Sequence, residues 1–376
     1  MRTRKMLKAA TVMVCVLALL AACNGKTTGG AANAPNSTAP VADATRRTTA
    51  NSTGRYPKIV VGLDADPQDL LPYTSGGSKP LIYGNIYESL FDTEGSKYIP
   101  VLAKGYEVID PLHYDVEIYD YIYDSAGNHI TADDVVNSYR VLIDSGYSVR
   151  FSMFANIAKI NDYKLRFTWT MPVEGVGDLE NVFKTTIFSR AAYEGGNFAV
   201  QPIATGAYKV TRFVSGSTLV LDAVDNYWQK DTSKIAKKHE ANVQTIQYDI
   251  ITESSQHVIA LKSGTIGFST MVPVENLGEF ENSQTQSVYV VPASRVYALN
   301  HNTTRGHPGN DLNFRLAVYY AINNEACARA TNGTTLPAKA FGTAFYADYV
   351  TAWDTTPTYI NTYDPELAKQ YLAKSS

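Results

Sequence analysis

Apolar and polar residues change their spacing several times along this chain, and each change marks an element. Residues 58–63, KIVVGL, form a continuous apolar run suited to a buried strand. The run leads into Asp64-Ala65-Asp66-Pro67-Gln68-Asp69-Leu70-Leu71-Pro72, a turn region punctuated by proline. Ile82, Ile86 and Leu90, with Tyr83 and Tyr87 beside them, then fall at helical spacing and predict one helix reaching Phe91. Tyr114, Val116 and Ile118 alternate with Asp115 and Glu117, a half-buried strand, and Asp110-Pro111 predicts a hairpin with residues 106–109. Thr131-Ala132-Asp133-Asp134 fits a capping box, with Thr131 accepting from the amide three residues on. Val135, Tyr139 and Leu142 share one face of the helix behind it. Leu165, Phe167 and Trp169 alternate with polar neighbours after a turn at Asn161-Asp162, a second hairpin.

Later elements carry equally local signals. A hairpin turns at Ser215-Gly216-Ser217, and Ile246, Tyr248 and Ile250 alternate as a strand. Ser254 or Ser255 is placed to cap a helix bearing Val258 and Leu261, which Gly264 ends. Asp311 caps a longer helix with the stripe Phe314, Val318, Ala321 and Ile322. Asp364-Pro365 offers an N-cap with proline in the first helical position, opening a helix through Leu372. Strands and helices alternate irregularly with hairpins between them, which argues for a mixed α/β fold with more than one lobe. No internal repeat is visible.

The first 55 residues are of another kind. Arg2, Arg4, Lys5 and Lys8 precede an apolar run from Ala9 to Leu20, a secretory signal too short for a span of about 20 apolar residues. Its end, Leu20-Ala21-Ala22-Cys23, resembles the lipobox of bacterial lipoproteins, which implies that Cys23 is the lipid attachment site and first residue of the mature chain. The alternative is an ordinary signal in which Cys23 is incidental. Residues 24–55 hold almost no large apolar side chain and are expected to be a tether, because so little burial cannot offset ordering entropy. The globular part is expected to begin near Tyr56.

At 45% hydrophobic and 18% charged residues, the chain is globular in composition rather than disordered. Loss of residues 1–22, with four cations and no acid, takes the net charge from −3 to −7. That balance does not favour nucleic acid, and Lys234, Lys237, Lys238 and His239 form a solvated face closed by Glu240 rather than a phosphate-binding stripe. With Cys15 lost in the signal and Cys23 claimed by lipid, Cys327 stands alone, so neither an intramolecular disulfide framework nor a cysteine metal cluster forms.

No catalytic constellation emerges. The histidines at 113, 129, 239, 257, 301 and 307 match no metal-ligand spacing, and no G-x-S-x-G elbow occurs. His301, His307 and Asp311 lie close, but Pro308-Gly309 makes this a loop without the rigid support that ligands need. The sequence therefore predicts neither an enzyme nor a bound metal or cofactor. The 26 tyrosines suit binding through broad contact area, although most of them suit half-exposed strands equally well.

Several segments, taken in order, resemble the large substrate-binding proteins of oligopeptide and dipeptide ABC transporters, extracellular solute-binding family 5. They are Asp66-Pro67-Gln68 with Leu71-Pro72, Asn85-Ile86-Tyr87-Glu88-Ser89-Leu90, and Ile130-Thr131-Ala132-Asp133-Asp134-Val135-Val136. Thr205-Gly206-Ala207-Tyr208, Asn226-Tyr227-Trp228 and Leu261-Lys262-Ser263-Gly264 follow. Arg315-Leu316-Ala317, Tyr320-Ala321-Ile322-Asn323 and Tyr363-Asp364-Pro365-Glu366 complete the series. Two positions depart from the family pattern: Ala204-Thr205-Gly206-Ala207-Tyr208 replaces a Gly-Thr-Gly-Pro-Tyr, and Gly267 stands where an acid is usual.

The resemblance implies a periplasmic-binding-protein-like type II fold of several lobes, the first discontinuous. Lobe I is placed at 56–84 plus 200–297, lobe II at 85–199 and a partial lobe III at 298–376. It implies capture of an extended peptide outside the membrane by a monomer and its delivery to the permease of an ABC importer. The implied ligand contacts are Thr74, Ser75, Gly76 and Gly77 on one rim and Ser269, Thr270 and Met271 on the other. Alternatives are another small solute, such as a nickel complex or an oligosaccharide, or a ligand-sensing surface lipoprotein without transport. A secreted hydrolase is a more distant reading. In the family a helix opening at Tyr-Asp-Pro lies early in the third lobe, so the chain resembles the N-terminal part of such a protein. On that expectation residues 24–376 alone bind peptide weakly or not at all.

Overall fold

The computed structural model describes residues 54–74, 79–94, 97–146, 153–173, 179, 182–289, 296–331, 335–337 and 363–375. In its first half are β1 (Tyr56–Leu63), α1 (Lys79–Ile86), β2 (Glu88–Ser89), β3 (Phe91–Glu94), β4 (Lys97–Pro100), β5 (Ala103–Asp110), β6 (His113–Ile118) and α2 (Ala132–Asp144). Then come β7 (Phe154–Asn161), β8 (Lys164–Trp169), β9 (Thr186–Ile187), α3 (Arg190–Glu194), β10 (Tyr208–Val214), β11 (Thr218–Ala223) and β12 (Val243–Ile250). The remainder are α4 (Ser254–Ser263), β13 (Phe268–Ser269), α5 (Leu312–Ala321), α6 (Asn324–Arg329) and α7 (Pro365–Lys374).

Two sheets carry the architecture. One has the order β10-β11-β12-β1-β13 and draws its strands from two widely separated stretches of chain. β1 runs parallel to both β12 and β13, while β10, β11 and β12 are antiparallel neighbours. The predicted strand at 58–63 is buried only from Val61 onward, so its first half is a partly exposed edge of the core. The second sheet, β5-β6-β8-β7, contains the first two predicted hairpins, and the third, β10–β11, lies in the first sheet. Leu165, Phe167 and Trp169 are buried as their alternation requires, and Tyr139 of α2 covers Phe167 edge-on at 5.4 Å. Asp115 takes a two-pronged contact from Arg166, at 2.7 and 3.0 Å, across this sheet.

The cap of α2 works from the other side of the box. Asp134 accepts the Thr131 amide at 2.8 Å and the Thr131 hydroxyl at 3.0 Å. Its second oxygen accepts the Arg190 amide at 2.9 Å, so one carboxylate ties α2 to the start of α3. α4 differs from expectation at its start, since Glu253 is the N-cap and Ser254 is already helical; Gly264 ends it at φ 75°. Asp311 and Asp364 cap α5 and α7 as the sequence predicts, accepting from Asn313 and Leu367. Those two helices pack together with Tyr320 and Tyr371 stacked at 5.6 Å. Ile322 falls outside α5, in extended backbone.

The predicted helix reaching Phe91 stops at Ile86 instead. Periodicity continues, but Glu88 is drawn into the interior, where β2 pairs with β9. Only 2% exposed, Glu88 accepts from the Tyr227 hydroxyl and from Trp228 Nε1 at 2.8 Å. Burial pushes its carboxyl pKa up, against the nearby His239 and these two donors. Beside it Asp92 receives Lys238 at 2.5 Å and His239 at 3.3 Å. Desolvation would raise the Asp92 pKa, but His239 and Lys238 outweigh it and hold the carboxyl well below the usual range.

Gly206 meets the same junction. Its amide donates to Ile86 O at 2.9 Å, and a Cβ at this position would lie 2.4 Å from that carbonyl. Gly267, by contrast, has ordinary room, with Ile59 Cγ1 at 3.6 Å from a built Cβ. A side chain would therefore fit at 267 without displacing its neighbours. Gly206→Ala is expected to cost about 3 kcal/mol, because backbone rather than a flexible side chain must move, and Gly267→Asp less than about 1 kcal/mol. Urea unfolding midpoints of the two variants check this; equal losses would contradict it.

Candidate ligand-binding edge

In open sheets with parallel strands, ligands settle beyond the carboxyl ends of those strands. Here the carboxyl ends of β1, β12 and β13 lie side by side, since Leu63 pairs with Ile250 and Gly62 with Ser269. The β10–β11 turn reaches the same end. Asp66, in the loop after β1, accepts from Ser215 Oγ at 2.6 Å and from the Gly216 amide at 2.8 Å. Gln68 in this loop adopts φ 62° next to the Asp66 turn.

The loop is stiffened from within by an ion pair. Lys79, the first residue of α1, is 3% exposed, and its ammonium donates to Asp69 Oδ1 at 2.8 Å and to the Thr74 hydroxyl. Asp69 also accepts from the Leu71 amide at 2.9 Å and from Thr74 Oγ1 at 2.6 Å. Desolvation works to raise the Asp69 pKa, but Lys79, Thr74 and the Leu71 amide more than offset it and leave the carboxyl lowered. Tyr83 and Tyr87 hold the Leu71 and Leu70 carbonyls through their hydroxyls. The Thr74 hydroxyl is thus consumed by the protein, and its amide donates to the Leu71 carbonyl at 3.3 Å. Ser75, Gly76 and Gly77 lie outside the described residues.

On the other rim, β13 is the edge of its sheet among the described residues. Thr270 is exposed, and Phe268 and Met271 are 45% and 36% exposed. Ser269 is half-buried: its Oγ accepts from the Met271 amide at 3.0 Å and contacts His257 Nδ1 at 2.8 Å. Topology therefore brings the start of the Asp64 loop beside Thr270 and Met271. Two cavities lie elsewhere. A groove of about 800 Å³ between 121–127 and 224–231 is walled by Tyr121, Tyr123 and Trp228, and an open hollow of about 500 Å³ sits among Lys104, Glu117, Asp120 and Lys164. Among the described residues no three His, Cys, Asp or Glu side chains gather as metal ligands, and no helix is long and apolar enough to cross a membrane.

Lys79, Asp69 and His257 escape sequence reasoning. Lys79 reads as a solvated charge at a helix start, and its partner is ten residues back in a loop with no period. His257 falls on no ligand spacing.

Compared with known families, residues 97–376 match the model of bacterial extracellular solute-binding proteins, family 5 (middle). The chain belongs to this family. It is 24% identical over 177 residues to the oligopeptide-binding protein OppA of Bacillus subtilis, covering 46% of this chain and 30% of that protein. Against the nickel-binding protein NikA of Staphylococcus aureus it is 26% identical over 219 residues, 58% of this chain and 42% of that protein. Among solved structures, AppA of Bacillus subtilis in complex with a nonapeptide superposes with a TM-score of 0.65 at 22% identity, over 84% of this chain and 63% of AppA. DppA of Helicobacter pylori in complex with the peptide STSA gives 0.66 at 21% identity, over 86% and 67%. The fold is therefore that of the family 5 periplasmic binding proteins, mixed α/β. The chain spans well under half the length of the curated relatives it matches.

Removing one partner of the Asp69–Lys79 pair has unequal consequences. Asp69→Ala strands a buried ammonium and is expected to cost about 3 kcal/mol at neutral pH. Lys79→Met leaves a carboxylate that still reaches water and costs less. Because the Asp69 pKa is depressed in the folded state, its stabilisation is present above the unfolded value, about 3.9, and is lost as pH falls through the folded one. The Asp69→Ala deficit should shrink below about pH 4. Denaturant titrations at neutral and acid pH measure it, and a deficit that grows on acidification contradicts the pairing.

Proposed function

We propose that this protein captures peptides outside the membrane as extended ligands and delivers them to the permease of an ABC importer. The observation that carries the reading is the β13 edge, an exposed strand beside the carboxyl end of β1. An extended peptide that adds to a sheet edge gains main-chain hydrogen bonds without dictating side-chain identity. AppA and DppA, each solved with a peptide, share the fold and support the peptide as the ligand class. The similarity to NikA, solved with Ni(L-His)2, favours a small nickel complex as the second reading.

Within this reading residues 56–84 and 200–297 form lobe I, 85–199 form lobe II and 298–376 belong to lobe III. Ser269, Thr270, Met271 and Thr74 through Gly77 line the ligand, and hinge closure between lobes makes the shape the permease meets. The mature protein is a monomer anchored to the cell membrane by lipid on Cys23, facing the extracellular space or periplasm. The signal and Cys23 lie outside the described residues, so the support for the anchor is the Leu20-Ala21-Ala22-Cys23 sequence behind four cations.

Residues 24–376 titrated with short peptides of mixed sequence, up to about 1 mM, should shift the backbone amide resonances of Thr270 and Met271, even at an affinity near −4 kcal/mol. Shifts caused by a nickel–histidine complex and not by peptides would replace the peptide reading with the second one. For the anchor, Cys23→Ala should release the protein into the aqueous phase or leave it uncleaved at the membrane. A wild-type protein with an unlipidated N-terminus other than Cys23 would sink the assignment.

A further inference from the structure

His257 is fully buried in α4, and both of its ring nitrogens have partners on neighbouring segments. Its Nε2 lies 2.7 Å from Ile251 O, and its Nδ1 lies 2.8 Å from Ser269 Oγ. A carbonyl oxygen only accepts, so Nε2 carries the proton. In the neutral ring Nδ1 is then a bare acceptor, and the Ser269 hydroxyl donates to it. The Ser269 oxygen keeps its lone pairs for the Met271 amide, at 3.0 Å. Ile251 in turn donates its own amide to Leu63 O at 2.7 Å. A continuous hydrogen-bond path thus crosses the carboxyl ends of β1, β12 and β13.

Steric fit locks the ring in that path. Gly62, paired with Ser269 across the strands, has no side chain where the imidazole sits. A Cβ on Gly62 would lie 2.7 Å from His257 Nδ1 and 2.9 Å from Cε1, and 2.8 Å from Ile266 Cδ1. Gly62, His257 and Ser269 therefore act as one interlock built from three separate elements.

We infer that His257 is a positioning residue: through Ser269 it folds the Met271 amide inward and so fixes which groups the β13 rim presents to ligand. The turn that Ser269 closes, with its hydroxyl on the amide two residues on, needs its own hydroxyl proton to have an acceptor. Nδ1 supplies it. With the Met271 amide taken, the rim offers the Thr270 side chain and the Met271 thioether, an adaptable apolar surface suited to varied side chains. This role rests on the peptide reading only for its effect on affinity; the hydrogen-bond path itself does not.

The test separates the two. In ligand-free protein, residues 24–376, long-range ¹⁵N–¹H correlations should show the His257 ring protonated at Nε2. Ser269→Ala and His257→Leu should each speed Met271 amide exchange by about tenfold, and combining them should add little. His257→Asn puts an amide oxygen near the place of Nδ1 and should restore slow exchange. His257→Gln keeps only the contact to Ile251 and should not. Mixed short peptides should then bind Ser269→Ala more weakly in proportion, measured under conditions where circular dichroism shows that variant fully folded. A ring protonated at Nδ1, or Met271 exchange unchanged in Ser269→Ala, overturns the inference, and Ser269→Ala carries it if His257→Leu does not fold. Exchange that responds as stated in a wild-type protein indifferent to peptides overturns the peptide reading alone.

Discussion

A carboxylate with almost no access to water holds the architecture together. Glu88 sits where α1 gives way to β2, and it receives Tyr227 and Trp228 from the connection that follows β11. A buried acid without donors would be costly, so the whole of that connection must stay where its hydroxyl and indole reach Glu88. Gly206 tightens the same point by bringing the backbone before β10 against Ile86, an approach that no side chain permits. Three stretches far apart in sequence, 85–90, 205–208 and 226–228, thereby become one structural joint. Asp92, drawn toward Lys238 and His239, extends the joint to the next turn.

The joint also bears on the proposed ligand-binding edge. Fixing α1 also fixes Lys79 at its first turn, and Lys79 fixes Asp69 and Thr74 in the loop after β1. On the opposite rim the work passes to His257, wedged against Gly62. Both rims are thus held by buried polar side chains whose partners are on neighbouring elements, while the side chains of Thr270 and Met271 remain exposed. That division suits a receptor for ligands of varied side chain: main-chain geometry is fixed and side-chain contact is adaptable.

Local signals in the sequence were legible wherever the physics is local. Alternation located β6, β8 and β12, and Asp311, Asp364 and Gly264 marked helix ends because caps act within a turn or two. The order of the motifs disclosed the family before any coordinate did. What stayed hidden depends on distant partners. Nothing in the stripe Ile82, Ile86, Leu90 says that Glu88 will be captured by Tyr227 and Trp228 and that the helix will end at Ile86, short of Phe91. Thr131 pointed to a capping box, but the tie from Asp134 to Arg190 crosses more than fifty residues. Lys79 and His257 look like surface residues in any window, and only the fold shows that each is buried beside its partner.

The central claim is that ligand is received at the outer edge of β13, on a platform held by these buried contacts. A crystal structure of residues 24–376 grown with a short peptide tests it most directly. The account predicts an extended peptide whose main chain runs along Phe268, Ser269 and Thr270 with hydrogen bonds of about 3 Å. Peptide seated instead in the groove walled by Tyr121, Tyr123 and Trp228, with the β13 edge bare, would contradict it.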